Sequence, residues 1–408
     1  MENNRPLAGV KVVELAIFIT AASCGRFLAD QGAEVIKIED LRGDGTRFPG
    51  AGLTEGRPTD LPGENLTFEI ENGNKRGLSM NLKNPDCYHV LMELLAQADI
   101  FITNWRPQAL KRLGLDYETL KEKFPKLVYG AATGYGEKGP DKDLPGYDFT
   151  AFWTRSGLLG SLYDKDGSPM NLIPSMGDRV VGMCMAAGVM AALYRAAKTG
   201  KGDKVSVSLL GAAIFLQATM MQTAQYGLIT YPISRRENPN PLIGSYQTKD
   251  GRWVEISMPN YDLQWTPFAK AMNPEWLNDE RFSNVENLKK GPYMGELCDA
   301  IAARFAELTS AEVAAIMTET DQPYALAQVW SEVLQDPQAW ANDYFTELEY
   351  ESGTRTLVRP PVQFQEAGLP PVNKAPRLGQ DTAAILKELG YGEEYIKKMR
   401  DAKTIIAE

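Results

Sequence analysis

The feature that most constrains the fold is a regular alternation of strand and helix patterns in the first third of the chain. Apolar runs over 10–16 and 34–39 predict two strands, and the segment 21–31 between them predicts a helix. Later elements repeat this pattern, with strands over 78–82, 99–103 and 126–131 and helices over 85–97, 107–113 and 117–123. Because parallel neighbours need crossover helices, the alternation predicts a doubly wound α/β fold on a parallel sheet.

Charge and composition restrict the class of partner. The 408 residues carry a formal net charge of -10, which disfavours nucleic acid or an anionic membrane as the main partner. The opening residues do not read as a secretory signal, and we find no uninterrupted apolar run long enough to span a membrane, so we expect a cytoplasmic protein. Four well-separated cysteines and a single histidine support neither a disulfide framework nor a metal site.

Parallel sheets bind ligands beyond the carboxyl ends of their strands, so the segments that follow the strands are candidate binding loops. The first such segment, IFITAA, lacks the GxGxxG pattern, which disfavours a nicotinamide or flavin dinucleotide. Asn104, Trp105 and Arg106 offer an amide, an aromatic ring and a guanidinium to a nucleobase and a phosphate. The structural alternatives are a turn for Asn104 and a core position for Trp105, and Lys75, Arg76 and Lys83 would form a solvated basic face.

An apolar segment over 174–207 predicts a helix that begins at Gly177 and Asp178, ends in lysines and glycines, and leads into a strand over 204–208. Asp178 is predicted to be the N-cap of this helix, and a carboxylate held there beside the small Gly177 is at the same time presented as a nucleophile. The one histidine, His89, lies mid-helix and is predicted to be structural. Nucleophilic chemistry therefore falls to a carboxylate or to a cysteine without an imidazole partner.

The later part of the chain predicts a small domain inserted into a larger one. An apolar run over 207–226 indicates deep core or a subunit interface. A shift in composition over 228–240 marks a linker, and the segment beyond it has the pattern of a hairpin followed by helices. The predicted boundaries are a large α/β domain over 1–227, a small α+β domain with its linkers over 228–325, and a return to the large domain over 326–408.

The chain resembles, from end to end, the class III CoA-transferase family, which includes formyl-CoA transferase and carnitine CoA-transferase. The resemblance is carried by LAGVKVVELA, GAEVIKIE, NGNKRGLSMNLK, ADIFITNWRP, TGYGEKGP and GDRVVGMCMAAGVMAAL. The stretches GLDYETLKEKFPKLV and LVRPPVQFQEAGLPP are similar to the 2-hydroxyacid members from amino-acid-fermenting anaerobes. This implies transfer of CoA from an enoyl-CoA of the cinnamoyl-CoA type to a 2-hydroxy acid such as (R)-phenyllactate. The alternative acceptor is 2-hydroxyisocaproate or another acid.

The resemblance also implies a mechanism and an assembly. Asp178 would attack the donor thioester to give a mixed anhydride, and CoA thiolate would then convert it to an aspartyl-CoA thioester. Coenzyme A thioesters would be substrates, and no cofactor would be bound permanently. The family forms dimers of interlocked chains, so we expect a homodimer, and a 2-hydroxyacyl-CoA dehydratase is the expected downstream partner.

The family's CoA-contacting positions are carried over one by one. They correspond to Ile19, Thr20, Met80, Asn81, Leu82, Lys83, Asn104, Trp105, Arg106, Arg112, Tyr147 and Asp148. Asp40 stands where formyl-CoA transferase has an arginine, so Arg42 or Arg47 is expected to replace that phosphate contact. The residues expected to line the acid pocket are Phe18, Phe149, Trp153, Met176 and Met221.

Three competing functions have weaker support from the residues. An acyl-CoA racemase of the same fold needs a histidine and an aspartate as its bases, and His89 lies in a different region. A non-catalytic CoA-binding protein would leave Asp178 as a helix cap only. A dinucleotide oxidoreductase lacks its glycine fingerprint.

Overall fold

A computed structural model describes residues 4–47, 66–165, 167–227, 231–351 and 353–407. The chain divides into two compact units. The larger contains Met1–Leu158, Asn171–Gln222 and Gln338–Glu408, and the smaller contains Leu159–Met170 and Thr223–Pro337. These units differ from the predicted domains at three points, because 159–170 and 223–227 belong to the smaller unit and the return to the larger unit comes at Gln338. Ion pairs within the smaller unit hold the first of these segments, with Lys165 2.7 Å from Glu237 and Asp164 3.3 Å from Arg235. The start of the predicted linker, 228–230, lies outside the described residues.

The strands are β1 (Lys11–Leu15), β2 (Glu34–Glu39), β3 (Arg76–Met80), β4 (Ile100–Thr103), β5 (Val128–Thr133), β6 (Lys204–Ser208), β7 (Ile243–Gln247), β8 (Trp253–Ser257), β9 (Tyr324–Leu326), β10 (Phe345–Tyr350), β11 (Gly353–Val358) and β12 (Ile405–Ile406). The largest sheet has the order β12-β3-β2-β1-β4-β5-β6, and all its pairs are parallel except β12 with β3. The predicted doubly wound parallel sheet is therefore confirmed.

The helices are α1 (Thr20–Asp30), α2 (Leu66–Asn72), α3 (Pro85–Gln97), α4 (Pro107–Arg112), α5 (Tyr117–Lys123), α6 (Leu158–Ser161), α7 (Met176–Thr199), α8 (Leu209–Leu216), α9 (Ala218–Ala224), α10 (Tyr261–Met272), α11 (Val285–Leu288), α12 (Tyr293–Glu307), α13 (Ser310–Glu319), α14 (Trp330–Val333), α15 (Pro337–Ala341), α16 (Thr382–Glu388) and α17 (Glu393–Asp401). A π-helix spans Asp148–Thr154. In the smaller unit, the antiparallel sheet β7-β8-β9 and the aromatic residues of α10 form a separate core.

The two faces of the large sheet are buried by different helices. Val12 of β1 packs with α1 and α7, whereas the next residue, Val13, packs with α3, α16 and α17. Successive side chains of a strand point to opposite faces, so a strand that is covered on both faces is apolar throughout. This double burial explains the continuous apolar runs in the sequence.

Helices α1 and α7 pack closely because small residues face each other. A Cβ atom added to Gly182 would lie 2.1 Å from Ser23 Oγ, so only glycine permits this approach. By length and composition alone α7 would pass as a membrane-spanning helix, with a mean hydropathy of 1.6 over its most apolar window. Core helices pass the same test, and Val181, Met185 and Val189 of α7 are fully buried in the sheet core.

Some elements differ from the sequence prediction. The apolar run over 207–226 forms two helices, α8 and α9, that are separated at Gln217, whose side-chain amide donates to the Ser156 carbonyl at 2.9 Å. The sequence also did not predict α2, α17 or the two-residue strand β12. A strand as short as β12 has no periodicity of its own and forms only because β3 offers an unpaired edge.

Candidate active site

A cavity of about 420 Å³ opens at the carboxyl ends of β1, β4 and β5. This is where the strand order reverses in a doubly wound sheet, since β2 and β3 lie on one side of β1 and β4 and β5 on the other. The predicted site residues that line it are Thr20, Asn104, Trp105, Arg106, Tyr147 and Asp178. Residues far apart in the sequence are thus brought to one wall.

The remaining predicted CoA contacts lie elsewhere. Those absent from the cavity wall, as far as the described residues define it, are Ile19, Met80, Asn81, Leu82, Lys83, Arg112 and Asp148. Met80 is buried at the end of β3, whereas Lys83 and Arg112 are exposed. Their contact with CoA stays a prediction.

Asp178 is the third residue of α7, and its side chain faces α1 rather than its own helix end. Ser175 occupies the N-cap position, so the interpretation of Asp178 as the N-cap is wrong. Instead, Asp178 Oδ1 accepts a hydrogen bond of 2.5 Å from Thr20 Oγ1. Burial raises the pKa of Asp178, while the Thr20 hydroxyl and the neighbouring Arg179 partly oppose that rise.

The loop before α1 is held at several points. The side chain of Asn104 forms two hydrogen bonds with the backbone of Ile17, accepting from its N–H at 3.0 Å and donating to its carbonyl at 2.7 Å. The N–H of Phe18 donates to Asp44 Oδ1 at 3.2 Å. Phe18 has a φ of 56°, a left-handed conformation that is unfavourable for a residue with a side chain. Such strain persists only where surrounding contacts impose it, and it is common at functional sites.

A second carboxylate, Asp148, lies at the start of α7. It is 6% exposed, and its Oδ1 accepts from the Gly177 N–H at 3.0 Å. A Cβ atom on Gly177 would lie 2.3 Å from that oxygen, so glycine is required here for the approach of Asp148. Burial, reinforced by the charge of Asp178, raises the pKa of Asp148 to about 6. Its other oxygen, Oδ2, is buried and has no hydrogen-bond partner among the described residues.

Three arginines near the site are paired with carboxylates. Arg179 donates from both Nε and Nη2 to Glu71 Oε1, at 3.0 and 2.7 Å. Arg47 forms two hydrogen bonds with Glu39 and stacks on Phe68, whereas Arg42 is exposed and paired with Asp40. Of the two arginines expected to contact phosphate, Arg42 is therefore the more accessible.

Sequence reasoning missed two features of the site. It predicted Thr20 and Asp148 as CoA contacts, but not that Thr20 binds Asp178 or that Asp148 binds the start of α7. No local signal marks these contacts, because the bonded residues are 158 and 29 positions apart. Among the predicted pocket residues, Phe18 lines the cavity, whereas Trp153 is buried in the core.

Comparison with known proteins identifies the class of protein that this fold and site define. The model of CoA-transferase family III matches residues 7–382. The chain therefore belongs to that family and is a CoA-transferase, with CoA thioesters as its substrates.

Individual relatives cover nearly the whole chain. It is 49% identical to the cinnamoyl-CoA:phenyllactate CoA-transferase of Clostridium sporogenes, over 100% of this chain and 99% of the relative. It is 43% identical to the (R)-2-hydroxy-4-methylpentanoate CoA-transferase of Clostridioides difficile, over 98% and 99%. A crystal structure of a CAIB/BAIF family protein from Brucella suis matches with a TM-score of 0.79 and 28% identity, over 95% of this chain and 100% of that one.

Proposed function

We propose that this enzyme transfers CoA from an enoyl-CoA of the cinnamoyl-CoA type to a 2-hydroxy acid such as (R)-phenyllactate, with Asp178 as the nucleophile. The observation that carries the proposal is the position of Asp178, a carboxylate of raised pKa on the wall of the cavity, held by Thr20 at 2.5 Å. A carboxylate of raised pKa is a better nucleophile than an ordinary one, and covalent catalysis divides acyl transfer into easier steps.

The proposed reaction proceeds through two kinds of covalent intermediate. A carboxylate oxygen of Asp178 attacks the thioester carbonyl carbon of the donor. The carbon–sulfur bond breaks, CoA departs as its thiolate, and a mixed anhydride between Asp178 and the donor acid is formed. The thiolate then attacks the aspartyl carbonyl carbon and displaces the donor acid, which leaves an aspartyl-CoA thioester. The acceptor carboxylate repeats these steps in reverse. No proton is gained or lost over the cycle.

The acceptor has two candidates that the relatives favour to different degrees. Phenyllactate is supported by the 49% identical relative, and the branched acid 2-hydroxy-4-methylpentanoate, which is 2-hydroxyisocaproate, by the 43% identical one. Phe18 and Tyr147 add exposed aromatic surface to the cavity wall, which suits a phenyl ring. The ratio of kcat/KM for the two acids distinguishes them, and a preference for the aliphatic acid would contradict the phenyllactate assignment.

The proposal includes a cytoplasmic homodimer. The support for the dimer is an exposed apolar patch on α8 made of Ile214, Phe215 and Leu216, of which Phe215 is 79% exposed. Contiguous exposed apolar surface is a feature of protein–protein interfaces. Light scattering on the purified protein tests it, and a monomeric mass at micromolar concentration would contradict the dimer. A 2-hydroxyacyl-CoA dehydratase as the downstream partner follows from the proposed product.

The decisive experiment incubates the protein with cinnamoyl-CoA, traps with hydroxylamine or borohydride, and locates the modification by mass spectrometry. We expect modification at Asp178. The control is Asp178→Asn, which should remain unmodified at that position. An active wild-type protein without any label on Asp178 would contradict the covalent mechanism and favour direct transfer.

A further inference from the structure

The hydroxyl of Thr20 contacts the carboxylate proposed to react. A carboxylate oxygen can only accept, so the short contact of 2.5 Å between Thr20 Oγ1 and Asp178 Oδ1 has the threonine as donor. This engages one of the two oxygens of Asp178. The other oxygen, Oδ2, is therefore the one available to attack a thioester.

We propose that Thr20 is a catalytic residue whose hydroxyl stabilises the negative charge that forms on Asp178 Oδ1 each time the aspartyl carbonyl carbon is attacked. This inference rests on the proposed function, in which Asp178 forms the covalent intermediates. It assigns to Thr20 a role beyond contact with CoA.

The charge develops on that atom at two steps of the cycle. After Oδ2 has attacked the donor, Oδ1 is the carbonyl oxygen of the aspartyl group in the anhydride. When CoA thiolate attacks the aspartyl carbon, the electron pair of the carbonyl moves to Oδ1, and it returns as the bond to the donor carboxylate breaks. The same movement occurs when the acceptor carboxylate displaces the thiolate. A donor already at hydrogen-bond distance from Oδ1 lowers the barrier of both steps.

The position of the hydroxyl is set before reaction. Thr20 begins α1 directly after a loop anchored through Ile17 to Asn104 and through Phe18 to Asp44. Its own carbonyl accepts from Ser23 Oγ at 2.9 Å. Preorganised donors stabilise a developing charge without the cost of reorientation, which is the property an oxyanion site requires.

A purely structural role for this hydrogen bond is less well supported. Helices α1 and α7 are already brought together by the contact of Ser23 with Gly182, one turn further along both helices. The packing of α1 against α7 therefore does not need the Thr20 hydroxyl. It also opposes the rise in the pKa of Asp178, as does Arg179, which is itself paired with Glu71.

The test compares Thr20→Val, which keeps the branched shape and loses the hydroxyl, with Thr20→Ser, which keeps the hydroxyl. The protein is mixed with cinnamoyl-CoA, quenched at short times, and analysed for CoA attached to Asp178. We expect Thr20→Val to form the aspartyl-CoA thioester about 10²-fold more slowly than the wild type, with the KM for cinnamoyl-CoA changed far less than kcat. Thr20→Ser should recover most of the loss.

The pH dependence of kcat/KM is a second measurement. A purely structural role of Thr20 would not shift its acidic limb. The described charged groups that act on Asp178 or line the same cavity are Asp148, Arg179, Arg106, Lys142 and Asp143, and Arg179 is itself paired with Glu71. Without the Thr20 hydrogen bond the pKa of Asp178 rises, so the acidic limb of kcat/KM should shift to higher pH in Thr20→Val. If Thr20→Val lowers the thermal unfolding midpoint, the rate of thioester formation and the pH profile are measured again with Thr20→Ala.

The outcomes separate the two proposals. Labelling of Asp178 in the wild type together with wild-type rates and pH profile in Thr20→Val would overturn the role of Thr20 and leave the proposed function intact. Equal defects in Thr20→Val and Thr20→Ser would also overturn it, because the hydroxyl would not be the cause. An active but unlabelled wild type would overturn the proposed function and this inference together.

Discussion

Two groups of buried charges lie near the same end of the sheet, and they are compensated differently. In the first group, Glu14 lies between Lys37 and Lys75, at 3.2 and 2.7 Å, and Lys37 also contacts Asp44 at 3.1 Å. These four side chains are fully or almost fully buried, and their two positive and two negative charges balance. In the second group, Asp148 and Asp178 lie at the start of α7, and none of the ion pairs among the described residues includes either of them.

The pKa values follow this difference. Burial by itself would raise the pKa of Asp44, but Lys37 and Thr46 outweigh it and hold that pKa below its ordinary range. The pKa values of Asp148 and Asp178 are raised, because the effect of burial outweighs that of their hydrogen bonds. A charge-balanced buried group is suited to positioning the backbone, whereas a carboxylate without an ion-pair partner keeps its raised basicity for chemistry.

The paired group also has an identifiable positioning role. Lys37 donates to the Ala16 carbonyl at 3.1 Å and Lys75 to the Ala22 carbonyl at 2.7 Å, on either side of the loop that carries Thr20. A Cβ atom on Gly25 would lie 1.9 Å from Glu14 Oε2, so a glycine in α1 is required for this cluster. Buried ion pairs contribute little net stability compared with apolar residues of the same shape, which favours positioning as their function.

The largest effect expected from this comparison is the loss of activity in Asp178→Asn. We expect CoA transfer to fall by about 10⁴-fold or more, since the nucleophile is removed. The unfolding midpoint should be no lower than that of the wild type, because burial disfavours the ionised carboxylate in the folded protein and raises the pKa of Asp178. Steady-state transfer and thermal denaturation measure the two quantities. Retention of more than a tenth of the activity would refute the assignment.

The next largest effect is a loss of stability when the charge-balanced group around Glu14 is disturbed. Glu14→Gln removes the carboxylate that both lysines share and leaves an amide in its place. We expect the free energy of unfolding to fall by about 3–5 kcal/mol, the usual cost of leaving a buried charge uncompensated. Urea denaturation checks this value. A loss below about 1 kcal/mol would indicate that the cluster is already partly neutral, for example through Lys75, whose pKa burial lowers to about 8.

The smallest expected effect is a gain in the free energy of unfolding, and it comes from replacing Asp148. The ordinary pKa of its carboxyl is 3.8, and the folded protein raises it to about 6. Between these values the folded protein holds a proton that the unfolded chain has lost, so the free energy of unfolding falls as the pH rises through that window. Asp148→Asn keeps the oxygen that accepts from Gly177 and cannot ionise.

We therefore expect Asp148→Asn to be more stable than the wild type above about pH 6, by a free energy on the order of 2 kcal/mol. The advantage should shrink towards about pH 4, where both proteins are uncharged at this position. Urea denaturation at several pH values measures it. A constant difference across the window would show that Asp148 does not change its protonation there.

Several features of this protein were predictable from the sequence because they are local. The alternation of apolar runs with helical segments determined the parallel α/β sheet, since the period of a pattern is a property of neighbouring residues. The same patterns placed Asp178 in the first turn of a long apolar helix. Segment resemblance then indicated the family, which the comparisons confirm.

Other features were decided by tertiary structure alone. Lys75 had the pattern of a solvated basic face but is 6% exposed and bonded to Glu14, because α1 and α2 cover it. The bond between Thr20 and Asp178 exists because α1 and α7 pack through Ser23 and Gly182, a contact between segments that share no local pattern. Sequence periodicity specifies which face of an element is buried. Which polar groups then meet there depends on how the elements pack, because only packing brings distant side chains within hydrogen-bond distance.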